Sequence, residues 1–309
     1  MINYPNETKL REIESNLIEN KFPPQIIIET TSYCNMKCLH CNHKILKRPF
    51  EHMHESLFKK IIDEIAHKAP ETEIWPTFYG ESLILGDKLF EKLEYARNLG
   101  LKNLILNSNG KLLHLKDYSY KILTSGLKRF IISLDGLTSH TFEKIRIGGN
   151  RDKIYSSIES LLEQKRKIGL IYPVIQCQFS VMEENWHEAD DFKNYWQNKG
   201  AEVKIRKMLS WSNSGTVKVK NLNYNPDFRI ACPWGNNTMA IHTNGNIVAC
   251  ACDWSGLFVA GNAREKSLEE IWNTTHYNNL RKLHREHSCG NIPEICKKCP
   301  DWQVINIGD

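Results

Sequence analysis

Residues 30–41, TTSYCNMKCLHC, follow directly on the apolar run QIII at 25–28 and place three cysteines, Cys34, Cys38 and Cys41, in the spacing C-x3-C-x2-C. A short run of branched apolar residues bounded by polar ones reads as a buried strand, so the cysteines occupy a loop at a strand's carboxyl end. Three thiolates on one such loop can hold three irons of a cubane and leave the fourth without a protein ligand. That open iron can receive the amino and carboxylate groups of a methionine. Structural zinc is the alternative, with His40 or His43 completing a tetrahedron.

Outward from this loop, the chain alternates short β-rich runs with longer amphipathic stretches as far as residue 208. Strands are predicted over 25–30, 73–79, 103–107, 129–135, 172–182 and 202–208, and helices near 55–69, 86–99, 115–125, 152–168 and 186–199. Six right-handed crossovers give the expected class: α/β, a partial (β/α)6 TIM-like barrel left open on one side. Polar residues recur at alternate strand positions: Asn107 with Asn109, Ser133 with Asp135, Gln176 with Gln178 and Ser180, and Lys204 with Arg206. One parity per strand marks them as walls of an interior cavity, or else as an exposed face.

The chain has 309 residues, 41% hydrophobic and 25% charged, enough for one full core and an appendage. A net charge of +5 with dispersed Lys and Arg predicts neither nucleic-acid nor membrane binding. The N-terminus mixes acids and bases where a signal peptide would be apolar, so a cytoplasmic location is expected. Ten cysteines there point to metal or redox work rather than disulfides.

With these motifs in view, the sequence resembles the radical S-adenosylmethionine (radical SAM) family. The resemblance implies that Cys34, Cys38 and Cys41 bind a 4Fe–4S cluster that cleaves SAM to a 5′-deoxyadenosyl radical. His40 stands where the family usually has an aromatic residue against adenine. In Tyr79-Gly80-Glu81, Gly80 and Glu81 match the family's Gly-Gly-Glu run, and Tyr79 departs from it. Asn109, in Asn107-Ser108-Asn109-Gly110, resembles the Thr-Asn-Gly ending of strand three. Ser133 and Asp135, in Ser133-Leu134-Asp135-Gly136, and Arg146 downstream match further SAM-binding positions, with Gln178 on the neighbouring strand.

Past a polar linker, SWSNSGTVKVKNLNYNPD at 210–227, a second unit is expected over 232–309, with residues 1–24 as an N-terminal helical extension, 25–208 as the barrel and 209–231 as linker. Its hairpin should run over 238–242 and 246–250 around Thr243-Asn244-Gly245, followed by a helix near 267–286. Cys232, Cys250, Cys296 and Cys299 can ligate a second 4Fe–4S cluster or zinc. Cys-Pro-Trp at 232–234, Gly245-x4-Cys250 and SLEEIW at 267–272 resemble the SPASM/Twitch extension of radical SAM enzymes, and the lack of cysteines after Cys299 implies the shorter Twitch form. Cys177 reads as a buried hydrophobe, Cys252 as an inert neighbour, alternative ligand or hydrogen-atom donor, and Cys289 as undecided.

The resemblance implies two clusters, SAM, and an external one-electron reductant such as flavodoxin or ferredoxin. It suggests oxidation of an alcohol to a ketone, or epimerisation through Cys252, on a small polar substrate such as a sugar or aminocyclitol. Modification of a ribosomally made peptide is the rival; only about 25 residues precede the first strand, which disfavours a leader-binding domain. A zinc-stabilised, non-catalytic binding module is the alternative of another class.

Overall fold

The computed structural model describes residues 6–212, 228–287 and 291–303. Six parallel strands follow the expected order: β1 (Gln25–Ile28), β2 (Glu73–Trp75), β3 (Ile105–Ser108), β4 (Arg129–Ser133), β5 (Val174–Val181) and β6 (Glu202–Lys207). β3 to β6 form one sheet, and β2 joins β3 through the single parallel bridge Ile74–Leu104. Their outward residues, among them Ile26, Ile28, Leu106, Phe130, Ile132, Cys177 and Phe179, are buried under α2 (Glu55–Lys68), α3 (Asp87–Asn98), α4 (Tyr118–Thr124), α6 (Arg151–Ile168) and α7 (Ala189–Asn198). Each fully buried Ile or Phe contributes about 1.5–3 kcal/mol, so this outer layer dominates the stability of the barrel. Cys177 belongs to it, fully buried.

A short helix not anticipated from sequence, α5 (Ser139–Ile145), lies between β4 and α6 and is capped by Thr138, whose hydroxyl accepts from the Thr141 N–H.

The C-terminal residues extend the barrel sheet. β7 (Thr238–Ile241) pairs in parallel with β1, in register Gln25 with Thr238 through Ile28 with Ile241. β8 (Asn246–Val248) and β9 (Val259–Asn262) add antiparallel strands, giving the order β2-β1-β7-β8-β9. An open barrel leaves the edge of β1 with unpaired backbone groups, and β7 satisfies them. The Asn244 side chain accepts from the Asn246 N–H at the hairpin turn, where Gly245 has φ +93°. β9 was not expected, and the predicted helix near 267–286 is two helices, α9 (Leu268–Trp272) and α10 (Thr275–Arg285). Asn273 and Thr274 break it because Thr274 caps α10, accepting from the Tyr277 N–H.

A buried ion pair ties the hairpin to the barrel. Glu29, just past β1, pairs with Arg48 and accepts from the Thr243 N–H (3.1 Å), while Arg48 Nε donates to the Trp254 carbonyl (3.3 Å). The N-terminal helix α1 (Glu7–Ser15) packs on the C-terminal part: Leu10 lies with Ile230, Cys232 and Trp302, and Glu14 accepts from the Ala231 N–H.

Candidate cluster and SAM sites

The first cysteine loop is held by backbone on both sides. The Lys37 and Leu39 N–H groups donate to the Ile147 and Ile145 carbonyls (2.9 and 2.8 Å). Gly80 is required by close approach: a Cβ there would stand 2.0 Å from the Thr31 carbonyl oxygen and 2.8 Å from that of Tyr33. Cys38 is buried and Cys34 and Cys41 are half-buried. Burial pushes the Cys34 and Cys41 thiols up, to about 11 and about 12, so their thiolates would need a compensating cation such as iron.

Around the loop the sequence-predicted polar residues converge. Arg146 donates from Nη1 to Cys38 Sγ (3.7 Å) and pairs with Asp135. His40 Nε2 lies 3.6 Å from Asp135 Oδ2, and burial holds its imidazole down at about 4, hence neutral at pH 7. Asp135 also accepts from the Ser180 N–H (2.6 Å), and Gln178 Nε2 donates to Ser133 Oγ (3.4 Å). Asn109 Nδ2 donates to Asn35 Oδ1 (2.8 Å) and lies 4.0 Å from Cys34 Sγ.

Glu81 takes the Ser108 hydroxyl (2.9 Å) and the Asn109 and Leu83 N–H groups (2.7 and 3.2 Å), pinning the end of β3 beside the loop. Burial raises its carboxyl above the ordinary range. Oε1 already accepts two of these bonds, and Oε2, with one, retains lone-pair capacity for a further donor such as an ammonium group.

Buried polar atoms without hydrogen-bond partners among the described residues lie around the cysteine loop: Asn35 Nδ2, His40 Nδ1 and Arg146 Nε. Such atoms are costly unless a ligand meets them. A zwitterionic nucleoside such as SAM carries matching acceptors and donors, so the residues fit it. Asn35 was missed from sequence, although its place inside the cysteine loop was the available signal.

The second set is assembled from three separate pieces of chain. Cys232, Cys250, Cys296 and Cys299 line one small cavity, together with Arg229, Gly235, Ala249, Leu280, His284 and Ile295. The thiols are buried in mostly apolar surroundings; burial and the neighbouring cysteines push Cys232 up to about 12 and Cys296 well above the usual thiol range. Four thiols around one enclosed space suit a polynuclear cluster. Among the described residues, no three His, Cys, Asp or Glu side chains are gathered for a single metal ion.

Cys252 lies off that cavity wall. Its buried Sγ donates to Asp301 Oδ2 (3.4 Å), and burial raises its thiol. Asp301 also accepts from the Ser210 and Ser212 N–H groups (2.7 and 2.9 Å), tying the chain after β6 to the cysteine-rich tail. Tyr79, where the family pattern has glycine, puts a buried, unpartnered hydroxyl between the two regions, its ring 5.1 Å from Trp211 and 6.2 Å from Trp254. Cys289 lies outside the described residues, as does 213–227 of the expected linker. Among the described residues, no helix is long and apolar enough to cross a membrane.

Comparison with known proteins identifies the family of both regions. A family model described as the radical SAM superfamily matches residues 28–176, and one described as an iron–sulfur cluster-binding domain, SPASM, matches residues 232–300. A GTP 3′,8-cyclase of Clostridium botulinum is 30% identical over 188 residues, covering 59% of this chain and 55% of that protein. A probable GTP 3′,8-cyclase of Methanococcus maripaludis is 28% identical over 180 residues, covering 58% and 57%. The chain thus spans little more than half the length of these curated relatives.

Among solved structures, BtrN in complex with AdoMet and 2-DOIA superposes with a TM-score of 0.62 at 18% identity, over 91% of this chain and 94% of that one. SuiB of Streptococcus suis bound to its precursor peptide SuiA superposes with a TM-score of 0.71 at 15% identity, over 95% and 73%. At these identities the likeness concerns the fold. The matched domains bring a 4Fe–4S cluster with SAM and further iron–sulfur binding. The chain belongs to the radical SAM superfamily, with a SPASM-type iron–sulfur domain at its C-terminal end.

Proposed function

We propose that this radical SAM enzyme epimerises a carbon centre of a small polar substrate, with Cys252 as the hydrogen-atom donor. The supporting observation is the position of Cys252: it is buried, its Sγ donates to Asp301 beside the thiols of Cys250 and Cys299, and its electrostatic neighbours include Tyr79 and Arg206 of the barrel. Cys34, Cys38 and Cys41 would hold the first cluster and Asn35, Ser133, Asp135, Arg146 and Gln178 would meet SAM, which together would supply the radical chemistry that removes a substrate hydrogen atom. Cys232, Cys250, Cys296 and Cys299 hold the second cluster.

The polar strand residues Gln176 and Lys204 present hydrogen-bonding groups to a hydroxylated substrate. Cys252 donates hydrogen to the opposite face of the carbon radical: its S–H bond breaks, a C–H bond forms with inverted configuration, and a thiyl radical remains. One electron from an external reductant of the flavodoxin or ferredoxin type, with one proton, restores the thiol. Asp301 fixes the sulfur, and the surrounding protein excludes other donors.

The test is turnover in D₂O against a panel of sugars, aminocyclitols and their phosphates. Wild type should place one deuterium at the inverted carbon, and Cys252→Ala should still form 5′-deoxyadenosine without epimer. A Cys252→Ala enzyme that makes a ketone at the wild-type rate, with no solvent deuterium in the product, would replace this reading with alcohol oxidation.

A further inference from the structure

Arg206, on the inward parity of β6, has a buried Nε with no hydrogen-bond partner, and among the described residues its guanidinium takes part in no ion pair. The carboxylates that influence it are already engaged: Asp135 by Arg146 and the Ser180 N–H, Asp301 by two backbone N–H groups and Cys252. A guanidinium stays charged in proteins, and a partly buried one without a paired carboxylate is costly. Directly across the strand pair, Ser180 is the register partner of Arg206, and its buried hydroxyl is likewise without a partner. Two adjacent unmet donors on one wall, one of them cationic, describe a receptor for anionic oxygen.

We propose that Arg206 and Ser180 form an anion-binding subsite that receives a phosphate or carboxylate group of the substrate. Resting on the reaction proposed above, this subsite sets the reacting carbon toward Cys252, a neighbour of the same guanidinium. The substrate class narrows to a sugar or cyclitol phosphate, or a sugar acid; neutral polyols leave the guanidinium unmet. Lys204, two residues earlier on the same face and opposite Gln178, adds long-range attraction for the same charge.

The experiment is anaerobic calorimetric titration of the cluster-loaded, SAM-bound enzyme with inorganic phosphate, glucose 6-phosphate, glucuronate and glucose. Binding of phosphate with glucose 6-phosphate, or of glucuronate, is expected, and glucose should not bind; which anion binds tighter identifies the group. Arg206→Gln should weaken the anion about 10- to 100-fold and Ser180→Ala about 3- to 10-fold, with SAM affinity unchanged in both. Unchanged SAM affinity also certifies that each variant is folded. If Arg206→Gln does not fold, Ser180→Ala alone decides.

Equal anion binding by wild type and variants overturns the proposal, as does no anion binding at all. Loss of SAM affinity in Arg206→Gln also overturns it, because Arg206 then serves the SAM carboxylate. Cys252→Ala should leave these titrations unchanged, so the epimerase reading and the anion subsite fail separately.

Discussion

The two cysteine regions reach similar chemistry by opposite routes. Cys34, Cys38 and Cys41 sit on one continuous loop, held by the backbone bonds of Lys37 and Leu39 and by the close approach of Gly80, in a space crowded with ionic and amide groups. Cys232, Cys250, Cys296 and Cys299 come from distant pieces of chain and enclose a mostly apolar cavity. The first place is open to polar ligands, as a site that cleaves SAM must be; the second is closed by its own four thiols, which suits electron storage or structure. A loop can be organised locally, but a cavity exists only if the hairpin, α10 and the tail all arrive.

The largest break in that comparison comes from removing the local loop. In a Cys34→Ala, Cys38→Ala, Cys41→Ala triple variant, iron per reconstituted chain should fall from about eight to about four, and 5′-deoxyadenosine formation should cease. A fall from about four to none would mean the C-terminal cysteines hold something else.

A smaller effect is expected at the joint between the regions. Glu29→Gln leaves Arg48 buried without its carboxylate, which should cost about 3–5 kcal/mol in urea unfolding and loosen the second cluster before the first. Loss of both clusters at one rate would show that the ion pair does not couple them.

The smallest effect concerns acid. His242, at the end of β7 and stacked 5.5 Å from Phe78, is held by burial at about 3 against its ordinary 6.5. Below pH 6.5 the unfolded chain binds a proton that the native imidazole refuses, so stability falls as pH drops from about 6.5 toward about 3. His242→Gln should remove about 2 kcal/mol of the loss between pH 7 and pH 5, measured by urea unfolding at both pH values. An unchanged pH slope would place that sensitivity elsewhere, at His284 or His40, whose imidazoles burial also lowers.

The alternating strand pattern, the C-x3-C-x2-C loop and the polar parity of β5 were legible in the sequence because they are local: period two fixes which face a residue takes, and three cysteines within eight residues share one loop whatever the rest of the fold does. Cys177 could be assigned to the core by the same parity. Asn35, Tyr79 and Asp301 were less legible, since their roles depend on which strand end or tail lies opposite.

The tertiary structure alone decided that β7 completes the edge of β1 and that α1 packs on the C-terminal part. It alone showed the four late cysteines around one cavity and, among the described residues, Arg206 Nε and Ser180 Oγ without hydrogen-bond partners. These are contacts between residues far apart in the chain, chosen by burial and hydrogen-bond satisfaction over the whole molecule. Sequence spacing carries no record of that choice.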